Sequence, residues 1–188
     1  SLALLTGNLG RPHVGVGPVR GQNNVQGACD MGVLPNLFPG YQDVTDAAVR
    51  EKFARAWGID ASRMDDKVGT RITEVPHLAL EGKIKAYYIM GEDPLQTEAD
   101  LGLVRDGFAA LDFVVVQDIF MTKTAEMADV ILPATSWGEH GGVFTCADRG
   151  FQRFEKAVDP TGDVKRDWEI ISLLASEMGF PKIGRAHV

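Results

Sequence analysis

Three short apolar runs between residues 84 and 133 limit the possible fold more than any other feature of this chain. Ile84-Lys-Ala-Tyr-Tyr-Ile-Met90 is rich in β-forming residues and leads directly into Gly91-Glu-Asp-Pro94. Phe113-Val-Val-Val116 reaches Gln117-Asp118, and Val130-Ile-Leu132 stops at Pro133. Between the first two runs, Thr97-Glu-Ala-Asp100 has the form of a capping box with Asp in place of Glu, opening a helix through Leu101, Val104 and Phe108. Thr122 is placed to cap a second, short helix before the third run. Strand, helix, strand, short helix, strand is the pattern of a parallel sheet with right-handed crossovers. The near-continuous apolarity of the strands is that of a sheet covered on both faces.

The flanks read differently. Residues 17–40 (GPVRGQNNVQGACDMGVLPNLFPG) carry neither helical nor strand period, and are dense in glycine, proline and the amides Gln22, Asn23, Asn24 and Gln26. Structureless stretches of this length are uncommon inside a domain and are often functional. A helix follows, with Thr45 as its cap, Val49, Phe53 and Trp57 on one face and Gly58 at its end. Residues 58–71 are a polar loop, and a short helix runs from Glu74 with Pro76 in its first turn and Gly82 after it. Beyond Ala134, Trp137-Gly-Glu-His-Gly-Gly142 is a glycine-rich loop, and Val143–Thr145 pairs with Phe151–Val158 across a turn near Asp148–Gly150. Asp163 is placed to cap a last helix with Trp168, Ile171, Leu174 and Met178 on one side. The expected class is α/β: a Rossmann-like, mostly parallel sheet with flanking helices, plus a small β-containing piece of a neighbouring domain. The expected divisions are 1–42, a segment built around the amide-rich loop; 43–134, the α/β domain; and 135–188, loop, short strands and C-terminal helix.

Composition narrows the function classes. Nineteen Lys and Arg against 26 Asp and Glu give a formal charge of −7 over 188 residues, which argues against nucleic acid as the main partner. Hydrophobic residues at 45% allow a packed core. No apolar run approaches the roughly 20 residues of a membrane-crossing helix, so no membrane contact is expected from this segment. Cys29 and Cys146 lie far apart with no Cys-x-x-Cys, so the expectation is two buried, reduced thiols and no metal site. The first residues, Ser1-Leu-Ala-Leu-Leu-Thr-Gly7, read like a sequence entered mid-helix with Gly7 as its stop. Ile183–Val188 shows no period, so both ends read as cuts.

In an open parallel sheet, ligands bind beyond the carboxyl ends of the strands. That singles out Gly91-Glu-Asp93, Gln117-Asp118 and the helix starts at Thr97 and Thr122, where free N–H groups suit phosphate. A carboxylate after a strand accepts from the N1–H and N2–H₂ edge of guanine or from a ribose hydroxyl; the alternative is that Asp93 and Asp118 simply cap turns. Neither GxGxxG nor a P-loop is present. Arg20, alone in the amide-rich loop, offers the planar charged fork that a small carboxylate ligand requires, or is an ordinary surface arginine. His140 stands among glycines and is either a ligand contact or a bland histidine.

Val19-Arg-Gly-Gln-Asn-Asn-Val-Gln-Gly-Ala-Cys-Asp-Met-Gly32 closely resembles a loop in the catalytic subunits of molybdenum or tungsten formate dehydrogenases. So do Ile89–Thr97, Val116–Thr124, Asp129–Pro133, Trp137–His140, Val143–Thr145, Ala147–Gln152 and Asp167-Trp168, in the family's order from about Leu5 to Pro181. The resemblance implies a metal held by two molybdopterin guanine dinucleotides, of which this segment binds part, with formate as substrate. It makes 1–42 the carrier of the active-site loop, 43–134 the dinucleotide-binding domain and 135–188 the piece that completes the cofactor site. By position, Arg20 matches the arginine that holds formate, and Gln22 a residue near the pterin. Asp93, Thr97, Gln117, Asp118, His140 and Asp167 match dinucleotide contacts, and Gly91 lets the ligand approach the backbone. The partners implied are the rest of the catalytic subunit and electron-transfer subunits.

The departures carry equal weight. The family's 4Fe-4S cysteines, its metal-ligating cysteine or selenocysteine with the adjacent histidine, and its C-terminal barrel are not in this sequence, and neither Cys29 nor Cys146 matches a ligand position. The isolated segment is therefore expected to be inactive and to recognise one guanine nucleotide arm. Two other readings stay open: a segment of a related oxidoreductase such as a nitrate reductase, which typically has a different loop after Gly21-Gln22, and a stand-alone nucleotide-binding domain. The electron acceptor, molybdenum against tungsten and the compartment stay open as well, with the cytoplasm favoured.

Overall fold

A computed structural model describes residues 2–17, 19, 21–146 and 150–180. The helices are α1 Leu2–Leu5, α2 Val25–Asp30, α3 Ala47–Trp57, α4 Val75–Leu80, α5 Pro94–Thr97, α6 Leu101–Ala109, α7 Lys123–Glu126 and α8 Asp167–Glu177. The strands are β1 Leu37–Phe38, β2 Gln42–Asp43, β3 Ala86–Met90, β4 Phe113–Asp118, β5 Val130–Pro133, β6 Gly142–Thr145 and β7 Phe151–Phe154. They gather into two compact units, one of residues 1–69 with 142–154 and one of residues 70–141 with 155–188. The class is α/β, as the apolar runs predict. Among the described residues no helix is long and apolar enough to cross a membrane.

The second unit is built on a three-stranded parallel sheet in the order β3-β4-β5, with Tyr88 opposite Val115 and Val116 opposite Ile131. One face carries the core: Ile89, Val114 and Val116 pack with Leu95 of α5, Val104 and Phe108 of α6 and Ala125 of α7. Each of these side chains other than Ala125 stabilises the fold by roughly 1.5–3 kcal/mol. Coverage of both faces is not general, because Phe113, Val130 and Ile131 stay substantially exposed. α4 packs on α6 at Gly107, where a Cβ would stand 2.7 Å from Pro76 Cα.

The helix starts differ from the sequence expectation in a consistent way. α6 is capped by Asp100, whose Oδ1 accepts from the Leu103 N–H at 3.0 Å. Thr97 instead closes α5, a turn that Pro94 initiates from Asp93. α3 is capped by Asp46 and not Thr45, since the Thr45 amide and hydroxyl both bond Asp43 at 2.8 Å. α8 begins four residues after Asp163, because Lys165 is held extended against residues 133–135. Trp168, Ile171, Leu174 and Met178 are exposed, and the buried residue of that helix is Ile170.

In the first unit, the stretch 17–40 is not structureless: α2 lies within it, too short to register as a period. Gly27 sits where a Cβ would come 2.4 Å from Asn24 Oδ1. That carbonyl oxygen accepts from Thr145 N–H at 2.9 Å while Nδ2 donates to Val143 O at 3.2 Å, so the amide acts as a surrogate strand along β6. β6 and β7 pair antiparallel, with Phe144 and Phe154 stacked at 4.7 Å. Phe53 stacks on Phe38 at 4.7 Å, and Trp57 closes the trio while half-exposed. Cys29 is buried and Cys146 half-buried, both as free thiols.

Gly107→Ala forces backbone apart at the α4–α6 contact. It should cost about 1–3 kcal/mol despite alanine's better helix propensity, and lower the thermal midpoint by about 2–4 °C per kcal/mol. Gly102→Ala, on the exposed side of α6, is the control and should be neutral or mildly stabilising in the same melt.

Candidate functional site

The carboxyl ends of β3 and β4 bring together most of the residues singled out by the sequence. Gly91 ends β3 with φ +62°, its N–H donates to the Gln117 carbonyl at 2.9 Å, and nothing lies within 4 Å of where a Cβ would stand. An L side chain is strained there, and the open space leaves the backbone approachable.

Asp93, in the turn after β3, is fully engaged within the protein. Its Oδ1 accepts from Thr124 N–H at 3.0 Å and from Thr124 Oγ1 at 2.6 Å, and its Oδ2 accepts from Gln96 Nε2. Thr124 is itself fully buried, and its Oγ1 accepts from Leu95 N–H at 3.1 Å. One hydroxyl therefore ties the start of α5 to the start of α7. Burial works against ionisation of Asp93. The hydrogen bonds from Thr124, Gln96 and the backbone of Thr124 and Lys123 outweigh it and hold the carboxyl below its ordinary value.

Gln117 is also fully buried, so its side chain is satisfied from within. Its Oε1 accepts from the Tyr88 hydroxyl, and its Nε2 donates to Asp167 Oδ1 at 2.6 Å. Burial, and secondarily the charge of Asp167, pushes the Tyr88 phenol up, keeping it a donor at neutral pH. Asp118 is half-buried at the strand end, with Oδ1 accepting from Phe120 N–H at 2.9 Å. Among the described residues, Oδ2 of Asp118 and Oδ2 of Asp167 accept no hydrogen bond.

The remaining sites lie elsewhere or are used otherwise. Thr97 is exposed, with Oγ1 3.0 Å from Glu92 Oε1 and 3.1 Å from the Asp93 carbonyl, and its single proton serves one at a time. His140 follows the turn Trp137–Glu139, its Nδ1 3.0 Å from Gly141 O. Gln22 is exposed in the turn before α2, in the first unit. Arg20 lies outside the described residues, as do Ala147, Asp148 and Arg149 of the sequence motif. At the start of α7, one of the two helix starts expected to receive phosphate, the Thr124 amide bonds Asp93 and the Ala125 amide bonds Thr122 Oγ1.

Sequence reading missed Tyr88 and Thr124. The signal available for Tyr88 was its phase: it pairs with Val115, which puts it on the same sheet face as Gln117, away from Ile89 and Val116. Thr124 offered no signal beyond its place one turn past Thr122.

The chain is an α/β segment with acids and an open glycine at the carboxyl ends of its parallel strands, the edge at which open α/β sheets bind ligands. The family model for molybdopterin oxidoreductase matches residues 1–177, and the chain belongs to that family. It is 66% identical over 181 residues to formate dehydrogenase H of Escherichia coli (strain K12), covering 96% of this chain and 25% of that protein. It is 51% identical over 179 residues to F420-dependent formate dehydrogenase 2 subunit alpha of Methanococcus maripaludis, covering 95% of this chain and 26% of that one. The chain thus spans about a quarter of the length of these relatives. Among solved structures, acetylene hydratase from Pelobacter acetylenicus superposes with a TM-score of 0.55 at 26% identity, over 72% of this chain and 19% of that chain.

The residues fit part of such a cofactor. Among the described residues, Asp118 and Asp167 each have a carboxylate oxygen that accepts no hydrogen bond, Gly91 leaves space at the backbone, and Thr135 Oγ1, just past β5, is buried with no hydrogen-bond partner. Among the described residues no group of three or more His, Cys, Asp or Glu is arranged to hold a metal ion.

Thr124→Val removes both bonds of the hydroxyl and should cost about 1–3 kcal/mol in urea unfolding at pH 7. The depressed Asp93 carboxyl stabilises the fold above the ordinary carboxylate value, about 3.9, and this contribution is lost as pH falls through its lower folded value. Asp93→Asn should therefore be clearly less stable than the parent at pH 7, and the gap should narrow in melts below about pH 4. A gap constant with pH would show that Asp93 acts by shape and not charge.

Proposed function

We propose that this chain is a segment of a formate dehydrogenase catalytic subunit that holds one guanine nucleotide arm of a bis-molybdopterin guanine dinucleotide cofactor. The observation that carries it is the pair of carboxylates Asp118, at the end of β4, and Asp167, at the start of α8, each with an oxygen that accepts no hydrogen bond among the described residues. Carboxylate acceptors suit the N–H edge of guanine and the hydroxyls of ribose, and Gly91 suits close approach at the backbone. Identity of 66% to a formate dehydrogenase supports the formate assignment over a nitrate reductase.

In the complete subunit, the bound molybdenum or tungsten centre supplies the two-electron redox chemistry that takes formate to carbon dioxide. The contribution of this chain is holding and orienting. Asp118 and Asp167 would hold the nucleotide end, Thr97 and His140 match further dinucleotide contacts and Gln22 a residue near the pterin, and the Arg20 guanidinium would bind the formate carboxylate by charge and its planar fork. The 4Fe-4S ligands and the metal's own ligand belong to other parts of the subunit, so this chain alone does not oxidise formate. The match to acetylene hydratase, named for a different reaction, supports giving this architecture the holding role.

GDP should raise the thermal midpoint of the chain by several degrees and ADP should not: ligand at 100 times its Kd adds about 2.7 kcal/mol. In the full-length subunit, Arg20→Ala should abolish formate turnover with GDP binding of the apo-protein unchanged. Retained formate turnover would sink the formate role of Arg20, and equal shifts with GDP and ADP would sink the guanine site.

A further inference from the structure

We propose that Tyr88 is a positioning residue for guanine recognition, acting through Gln117 to aim the Asp167 carboxylate at the N–H edge of the base. The inference rests on the guanine-nucleotide reading above and assigns the residue that makes the site selective. A primary amide in a fully buried position must have both its ends satisfied, and its two ends are chemically opposite. An ionised carboxylate only accepts, so Asp167 takes Nε2, and Oε1 faces Tyr88, whose hydroxyl donates to it. Nε2 donates to Asp167 Oδ1 at 2.6 Å. The order Tyr88 hydroxyl, Gln117 amide, Asp167 carboxylate thus runs in one direction only: donor into acceptor, then donor into acceptor.

The consequence is a carboxylate with one oxygen anchored and the other, Oδ2, accepting nothing among the described residues. Asp167 opens α8, and Arg166 N–H bonds Glu169 Oε2 at 3.1 Å, which fixes the backbone from which the carboxylate projects. An anchored acceptor favours a ligand with N–H donors at that edge. Guanine has them; adenine presents an acceptor, N1, in the corresponding place, which would meet the carboxylate lone pairs and be rejected. Without the Tyr88 hydroxyl the buried Oε1 is left without its donor, and the amide loses the contact that holds it in place as Nε2 donates to Asp167. The anchor on Asp167 is then looser, and with it the discrimination between the bases.

The test is a double-mutant cycle on the 188-residue chain, with GDP and ADP titrated calorimetrically against the parent, Tyr88→Phe, Asp167→Asn and the double variant, with thermal midpoints recorded for each. Gln117→Met, which keeps length and removes both bonds, gives a second route should Tyr88→Phe melt early. The expectation is that the parent prefers GDP, that Tyr88→Phe and Gln117→Met each weaken GDP about threefold to tenfold, the worth of one hydrogen bond, and that ADP is unmoved. In the Asp167→Asn background, Tyr88→Phe should add nothing further. Additive losses, equal losses for GDP and ADP, or no loss in a parent that does prefer GDP would each overturn the positioning role while leaving the guanine site standing. A parent that binds both nucleotides alike, or neither, would overturn the guanine reading and this inference with it.

Discussion

The buried amide of Gln117 is the constraint around which the second unit is organised. It sits near the end of the middle strand, out of reach of water, where an unsatisfied amide would cost about 1–3 kcal/mol per missing partner. Its partners come from two separate elements, β3 through Tyr88 and α8 through Asp167. The backbone carbonyl of the same residue receives the Gly91 N–H, which sets where β3 ends. One residue thereby fixes the end of the neighbouring strand and the start of a helix reached only after a further excursion of the chain. The core on the opposite face, from Ile89 to Ala125, supplies the bulk of the stability but no such directional information.

The acids around that amide divide by what the protein already asks of them. Asp93 has both oxygens occupied and works as a cross-link between two turns, with its charge held by hydrogen bonds against the cost of burial. Among the described residues, Asp118 and Asp167 use one oxygen each and leave the other without a hydrogen bond. A sequence lists all three as equivalent carboxylates after strands or before helices. Only the distribution of donors around them separates a structural acid from one with capacity left for a ligand.

The strands, their parallel order and the residues at their carboxyl ends were legible in the sequence, because apolar runs and the turn residues after them are local signals. What was not legible is what connects those ends. Tyr88 and Gln117 stand 29 residues apart, Gln117 and Asp167 are 50 apart, and Asn24 and Thr145 are 121 apart. No periodicity encodes such pairings. The capping assignments slipped for a related reason: where several Thr and Asp crowd one turn, each can cap, and the choice among Thr45, Asp46 and Asp43 depends on which donors the others have already taken. Periodicity also identified the shared side of Trp168, Ile171, Leu174 and Met178 but not its exposure, since a stripe states which residues move together and not what lies opposite them.

The same accounting bears on which part of a nucleotide this segment can grip. Phosphate needs free N–H groups or basic side chains, yet the amides at the start of α7 bond Asp93 and Thr122, and the Leu103 amide of α6 bonds Asp100. The chain as a whole is anionic, at −7. The carboxylates of Asp118 and Asp167 would add to the repulsion a diphosphate meets there. Acceptors suit the N–H groups of a base and the hydroxyls of a sugar. On the function proposed above, this chemistry matches the nucleoside end of the ligand better than its phosphates.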